Sequence, residues 1–117
     1  MSAVALQGDV QATGGAVPFH PATVTTSWVP GPITYTLAKY IQVDGVAAVV
    51  KATCTFAFTG LNVLVPVSGT STVSLEPQAP TFLNDDGDDL LKNGDVAVDS
   101  YGNTLQAVVT QQKLYTN

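Results

Sequence analysis

Short apolar runs, separated by turns rich in glycine and proline, make up most of this 117-residue chain. Apolar and polar residues alternate over residues 53–58, which is the period of a strand with one buried face. No segment keeps the 3.6-residue period of a helix for three turns. Val, Thr and Ala dominate the composition, and the β-branched Val and Thr fit a pleated sheet. The pattern predicts one compact all-β domain of short strands and hairpins over residues 1–117.

Turn-forming residues mark the expected ends of the strands. Asp44-Gly45 has the composition of a two-residue hairpin turn, and Tyr101-Gly102-Asn103 predicts a later one. Pro30-Gly31-Pro32 predicts a break between two strands, because proline has no amide proton for the ladder. Another hairpin is expected over residues 62–75, with its turn at Ser68-Gly69.

One short pattern, small apolar residues beside a glycine-containing turn, occurs three times in the chain. It covers residues 3–13, 43–54 and 93–100. Such repetition indicates one structural unit used more than once, with each copy burying apolar surface against the others. The turn residues of the three copies are the candidate structural site: Gly8, Asp9, Asp44, Gly45, Asn93 and Gly94.

Composition and charge narrow the function classes. The net charge is −5, and the only basic residues besides one histidine are Lys39, Lys51, Lys92 and Lys113. Four scattered lysines make no basic patch, so we expect no binding to nucleic acid. Only 11% of the residues are charged, against about 25% in an average domain. This indicates either a surface largely covered by a partner, which is the interpretation that we favour, or a compact and rigid fold.

The sequence also predicts where the chain is made. The single cysteine, Cys54, excludes a disulfide within the chain. No basic region followed by an apolar run marks a signal peptide, and no run reaches the length of a membrane helix. We expect synthesis in the cytoplasm and any export by another route.

The repeated pattern resembles the phrase P-A-A-R-x-G-D of the PAAR-repeat proteins, the spike tips of contractile injection systems and phage tails. Residues 2–9, Ser-Ala-Val-Ala-Leu-Gln-Gly-Asp, resemble that phrase, and residues 41–51 resemble its longer form, with Cys54 in the segment that follows. Gly14-Gly15 stands where members of the family often carry two glycines, and residues 93–98 are a weaker third copy. The proline and the arginine of the phrase are absent from these copies.

The resemblance implies a conical, pseudo-threefold fold whose base sits on the blunt end of a trimeric β-helical spike. The implied function is a non-enzymatic cap that covers the open strand edges of the spike and sharpens it for piercing the target envelope. The implied partners are the spike trimer, with or without a passenger effector, and the target membrane only transiently. The implied location is an injection particle or virion tail, finally outside the cell.

The resemblance also implies a metal, typically zinc, near the tip, for which His20 and Cys54 are the candidate ligands. A closed zinc site needs four ligands, so Asp9 or Asp44 would have to contribute. The alternative, which we favour, is that Cys54 is a buried strand residue and that His20 lies in a proline-bounded turn.

Other chemistries find less support in the sequence. The aspartates of residues 85–89 invite a calcium site, but the spacing of an EF-hand fails, which favours a solvated loop. His20 and Cys54 are the only potential base and thiol nucleophile, and no G-x-S-x-G elbow is present, so we expect no enzyme.

Two other kinds of protein remain open at this stage. Trp28 and the aromatic residues near it could form the face of an all-β module that binds carbohydrate or protein, although a core position is the interpretation that we favour. The other is a decoration protein of a phage particle. The aromatic residues concerned are Phe19, Trp28, Tyr35 and Tyr40.

Overall fold

The structure, a computed structural model, describes residues 2–19, 27–62, 64–78, 81, 83–85 and 87–116. Every regular element in these residues is a β-strand, which confirms the all-β prediction. None of them forms a helix that is long and apolar enough to cross a membrane. In chain order the strands are β1 (Ser2–Ala3), β2 (Val10–Thr13), β3 (Ser27–Val43), β4 (Val46–Asn62), β5 (Val65–Leu75), β6 (Asn84–Asp85), β7 (Asp88–Asp89), β8 (Val96–Val98), β9 (Thr104–Ala107) and β10 (Tyr115–Thr116).

A three-stranded antiparallel sheet, β3-β4-β5, forms the long axis of the molecule. Strand β4 is central and has 17 residues, which at about 3.3 Å per residue span about 55 Å. The molecule measures 52 × 23 × 23 Å, so β4 runs along its whole length. Asp44 and Gly45 form the two-residue turn between β3 and β4, and both have positive φ, as a type I′ hairpin requires.

The expected break at Pro30-Gly31-Pro32 is wrong, because β3 continues through it. The register passes from Pro30↔Phe56 to Ile33↔Cys54, so β3 has one more residue than β4 over this step. This is a β-bulge. In this sheet β3 is an outer strand, and there proline removes few ladder hydrogen bonds.

The expected turn at Ser68-Gly69 is also wrong, since both residues lie inside β5. The actual reversal lies between Asn62 and Val65, which pair with each other. Gly69 is needed for packing rather than for a turn. A Cβ atom there would lie 2.7 Å from Cε1 of Phe19, so the aromatic ring occupies the space of a side chain.

The remaining strands form smaller sheets. Strands β2, β9 and β8 make a second antiparallel sheet, while β1 pairs with β10 and β6 with β7. Contacts of β2 with β3, and of β8 and β9 with β5, join the second sheet to the long one. Buried residues alternate with exposed ones along β4 from Ala52 to Thr59, as a sheet with one covered face requires.

Two clusters of buried side chains form the core. The larger one contains the aromatic residues Trp28, Phe56 and Phe58 together with residues of the second sheet. The smaller one lies around the first residues of β4 and includes the following buried side chains: Val4, Leu6, Ala38, Ala48 and Leu90.

Candidate functional site

Three segments that are distant in sequence meet in a closed ring of backbone hydrogen bonds. The amide of Ala5 donates to the carbonyl of Leu91 (2.8 Å), the amide of Leu91 donates to Val49 (2.9 Å), and the amide of Val49 donates to Ala5 (3.0 Å). Each segment therefore gives one hydrogen bond and receives one, always in the same rotational sense. A cyclic pattern of this kind is what approximate threefold symmetry produces.

Two bridges outside the ring repeat the same relation. Leu6, one residue after Ala5, forms an antiparallel bridge with Ala48. Lys92, one residue after Leu91, forms an antiparallel bridge with Val4. In both bridges the residue after one ring member meets the residue before the next, so the two are equivalent under the threefold relation.

A further pair of hydrogen bonds is equivalent in the same way. The amide of Gln7 donates to the carbonyl of Ala47 at 3.0 Å. The amide of Asn93 donates to the carbonyl of Ala3 at 2.8 Å. Each donor lies two residues after a ring member and each acceptor two residues before one. The match between segments thus extends over at least five residues.

The turns after the first and third segments are built alike. Asp9 donates its amide to the carbonyl of Leu6 (2.9 Å), and its carboxylate accepts from the amide of Leu6 (2.9 Å). Asp95 repeats both contacts with Lys92, at 3.1 Å each. Each aspartate therefore closes its turn from both directions, which explains why the Gly-Asp dipeptide occurs in both copies.

Glycine is required in these two turns by backbone conformation. Gly8 has φ of 99° and Gly94 has φ of 95°, values that residues with a side chain rarely adopt. No atom lies within 4 Å of a Cβ added at either glycine, so the requirement is conformational and not steric.

The second segment differs from the other two. Around Val49 the chain passes straight on along β4, where the other copies turn. The turn at Asp44-Gly45 precedes this segment and joins two long strands. Of the three predicted turns, Gly8-Asp9 and Asn93-Gly94 are therefore equivalent in structure, while Asp44-Gly45 has another role.

The three ring members and the residues directly before them are completely buried, and their side chains alternate between the two core clusters. Ala5, Val49 and Leu91 belong to the larger cluster. The residues before them belong to the smaller cluster. Alternation with period two means that the ring is a small layer with one cluster on each side. The residues directly before the ring members are Val4, Ala48 and Leu90.

The sequence pattern missed the third segment of the ring. The pattern assigned the third copy to residues 93–100, because Val96, Ala97 and Val98 are small and apolar. The ring instead uses Leu90 and Leu91, which stand before the Asn93-Gly94 turn. The detectable signal is the phrase Leu-Leu-Lys-Asn-Gly-Asp, which ends in the same Gly-Asp dipeptide as residues 8–9 after two apolar residues.

The metal site suggested by the resemblance is not assembled in the described residues. They contain no group of three or more His, Cys, Asp or Glu side chains that could hold a metal ion. His20 lies outside the described residues. The thiol of Cys54 is buried in the larger cluster, with its Sγ 3.4 Å from the carbonyl oxygen of Gly31. Burial raises the pKa of Cys54 and opposes the thiolate that zinc needs, so this residue fits a zinc site poorly.

The other potential zinc ligands lie elsewhere. Asp9 holds its own turn, as described above. Asp44 is in the β3–β4 turn, where its carboxylate forms an exposed ion pair of 2.7 Å with Lys113. Cys54 lies eight residues of extended chain, about 26 Å, beyond Val46, which is the first residue after the turn that holds Asp44.

The surroundings of two aspartates shift the pKa values of their carboxyl groups. Desolvation by burial raises the pKa of Asp95, partly offset by the amide and the charge of Lys92. Burial also acts on Asp99, but hydrogen bonds from Ser71, Asn103 and Tyr101 outweigh it and leave the pKa of Asp99 below its usual value. The carboxylate of Asp99 ties β5 to the β8–β9 turn, with 2.6 Å to Ser71 Oγ.

Of the four aromatic residues suggested as a binding face, Phe19 and Trp28 belong to a structural cluster with Phe58 and Tyr101, whereas Tyr40 is 76% exposed. Trp28 is only 7% exposed, and its indole N–H donates to the carbonyl of Val17 at 2.8 Å. Its ring centroid lies 4.9 Å from that of Phe58 and 5.0 Å from that of Tyr101. Phe19 packs against all three rings. A sugar platform needs an exposed ring, so Trp28 does not fit that role.

A shallow depression lies beside Val50 and Lys51 of β4. It encloses about 290 Å³ and is lined by Lys51, Glu76, Asp88 and Asp89 together with Val50, Pro77 and Gly87. Lys51 and Glu76 form an ion pair of 3.3 Å across its edge. The lining contains no thiol, hydroxyl or imidazole, and its one lysine is engaged in that ion pair.

No family model, no curated protein and no solved structure matches this chain.

Proposed function

We propose that this protein is a non-enzymatic spike tip similar to the PAAR-repeat proteins. It caps the trimeric β-helical spike of a contractile injection system or phage tail and narrows the point that meets the target envelope. The observation that supports this most strongly is the ring of Ala5, Val49 and Leu91. A cap on the end of a trimer faces three equivalent chains, and a monomer can match them only by repeating a unit three times within itself.

The base of the proposed cap is the side of the ring that carries the smaller cluster. Hydrophobic side chains there are less completely covered than in the larger cluster, and Val46 and Tyr115 are 38% and 41% exposed. A partly covered apolar surface of this kind is typical of one that a partner completes. The half-buried hydrophobic residues around the smaller cluster are Ile41, Val43, Val50, Leu83 and Leu114.

A purely mechanical role agrees with the character of the described residues. The ring is buried and apolar, and the polar groups beside it, such as Asp9 and Asp95, are engaged in holding turns. We propose that the fold is kept rigid by core packing and by these turns, without zinc. The protein is made in the cytoplasm and incorporated into the particle, with the spike trimer as its partner.

Stoichiometry tests the proposal directly. The purified protein is mixed with a trimeric β-helical spike encoded by the same genome, and the complex is weighed by native mass spectrometry. We expect one copy of this chain for every three spike chains. A complex with one copy per spike chain, or the absence of any complex with the spikes of that genome, would refute the proposal.

Two charged variants at opposite ends of β4 locate the base. Val46→Asp introduces a charge at the proposed base. We expect it to weaken the complex by about tenfold or more, because binding would bury an unpaired carboxylate in an apolar interface. Leu64→Asp introduces the same charge at the other end of β4, where Leu64 is 89% exposed, and should leave the complex unchanged. Equal effects of the two variants would show that the base is placed wrongly.

A further inference from the structure

The end of the long sheet opposite to the proposed base is an apolar turn. Beyond the pair Ser27↔Thr59, β4 and β5 pair with each other for three more pairs of residues, ending with Asn62↔Val65. Three aliphatic side chains of this end are exposed: Leu61 by 42%, Leu64 by 89% and Val65 by 64%. We call these three residues the distal turn.

Charge is absent from the part of the sheet that leads to the distal turn. Residues 52–75 and 27–38 contain no Asp, Glu, Lys, Arg or His. The ion pair of Lys51 with Glu76 stands at the opposite end of the β4–β5 hairpin. Asp99 reaches the hairpin from another strand, but at Ser71, which is six residues or about 20 Å from Val65 along β5.

We propose that the distal turn inserts into the interfacial layer of a lipid bilayer. The inference rests on the proposed function, because it assumes that the chain is a spike tip. It adds which residues of the tip contact lipid, namely Leu61, Leu64 and Val65. Insertion into lipid requires an uncharged, aliphatic surface at the apex of the molecule, and the distal turn provides one. Its insertion needs no electrostatic attraction, and the net charge of −5 opposes contact with anionic lipid.

The backbone of the hairpin limits insertion to the headgroup region of the bilayer. Antiparallel pairing continues to Asn62↔Val65, but each strand of a hairpin pairs along one edge only, and Pro66 has no amide proton to donate. The amide and carbonyl groups that point away from the hairpin need a partner such as water, which keeps them out of the hydrocarbon core. Insertion of two or three residue lengths, about 7–10 Å, reaches the depth of interfacial segments without entering that core.

A bilayer fits the shape of the distal turn better than a second copy of the chain does. The exposed leucine is at the apex of a narrow hairpin, so contact between two such turns would cover few side chains. Stable association between proteins needs about 800 Å² from each partner. A bilayer surrounds an inserted apex and covers every side chain on it.

Flotation with lipid vesicles tests the inference on the isolated full-length protein. The wild type is expected to float with vesicles of phosphatidylcholine, and to float less when phosphatidylserine is added. Leu64→Asp should lower the bound fraction about tenfold or more, because a leucine is lost from the apolar phase and a charge must enter it. Val65→Asp should act in the same direction. Thr70→Asp is the matched control, since it adds the same charge to an exposed position on β5 and should bind like the wild type.

Each other outcome counts against lipid insertion. Failure of the wild type to float, or equal flotation of Leu64→Asp and Thr70→Asp, would overturn it. Stronger flotation with phosphatidylserine would point to attachment through lysines instead. A wild-type dimer that Leu64→Asp dissociates, without flotation, would make a second copy the occupant. Because Leu64→Asp is expected to keep its spike complex, failure here is distinguishable from failure of the proposed function.

Discussion

The threefold ring predicts energetic coupling between residues that are far apart in sequence. Ala5 and Leu91 are joined by a backbone hydrogen bond of 2.8 Å, and both side chains are completely buried in the larger cluster. Leu91→Ala removes most of a buried leucine and should lower the free energy of unfolding by about 2–5 kcal/mol. Ala5→Leu adds volume to the same layer and should cost about 1–3 kcal/mol by overpacking.

The double variant Ala5→Leu with Leu91→Ala is expected to be more stable than the sum of its parts predicts. The added leucine side chain can occupy the space that the lost one leaves, because the two positions face the same centre. We expect the double variant to recover about 1–2 kcal/mol, within the range of about 0.5–3 kcal/mol seen for residues in contact. The wild-type stability of a domain, about 5–15 kcal/mol, leaves room to measure all three variants.

Urea denaturation followed by the fluorescence of Trp28 gives the four free energies of this cycle. The control cycle combines Ala5→Leu with Val73→Ala. Val73 is buried in the same cluster but pairs with Cys54, five residues or about 16 Å along β4 from Val49. At that separation the two costs should add. If the two costs added in both cycles, the conclusion that the side chains of Ala5 and Leu91 face the same centre would be refuted.

Five further variants test the turns, the two aspartates with shifted pKa values and the aromatic cluster. Gly8→Ala and Gly94→Ala should each cost about 1–2 kcal/mol, and nearly the same amount, because both glycines have positive φ in equivalent turns with free space around them; thermal or urea unfolding measures both, and a large difference would argue against equivalence. Asp95→Asn keeps an acceptor for the Lys92 amide but removes a buried charge whose folded pKa is raised; its unfolding free energy relative to wild type should therefore improve as pH rises through that pKa, and a constant difference would contradict this. The pKa of Asp99 is lowered by the fold, so its stabilisation is complete above the usual pKa of an aspartate and is lost as pH falls through the folded one; Asp99→Asn should flatten the acid limb of the stability–pH curve. Trp28→Ala should cost about 3–5 kcal/mol, because the indole is buried among three aromatic rings; an unchanged urea midpoint would mean that the ring is not part of the core.

Strand composition and turn chemistry were readable from the chain because both are local. The alternation over residues 53–58 predicted a strand with one buried face, and β4 has it. Asp44-Gly45 predicted a two-residue turn, since few other dipeptides accept two consecutive positive φ values. Local rules failed where packing overrode them. Pro30-Gly31-Pro32 became a bulge in an outer strand, and Gly69 stayed inside β5 because the ring of Phe19 occupies the space above it.

The candidate site was only partly visible in the sequence. The repeated small-apolar pattern indicated that one unit recurs and predicted three alike turns, of which the structure makes Gly8-Asp9 and Asn93-Gly94 equivalent and gives Asp44-Gly45 another role. The pattern could not identify Leu90 and Leu91 as the third segment, because leucine does not resemble the alanine and valine of the other copies. The three positions are equivalent in their backbone hydrogen bonds, and these bonds do not depend on which side chain a residue carries.

The sequence by itself therefore determined that this chain forms strands, where several of its turns lie and that a small unit recurs. The tertiary structure decided that three such units close a ring, that the ring separates two cores and that an uncharged apex lies at the far end of the sheet. The physical reason is the range of the interactions. Turn conformation and strand periodicity depend on neighbours within a few residues, whereas the ring of Ala5, Val49 and Leu91 exists only when segments more than 40 residues apart in the chain meet.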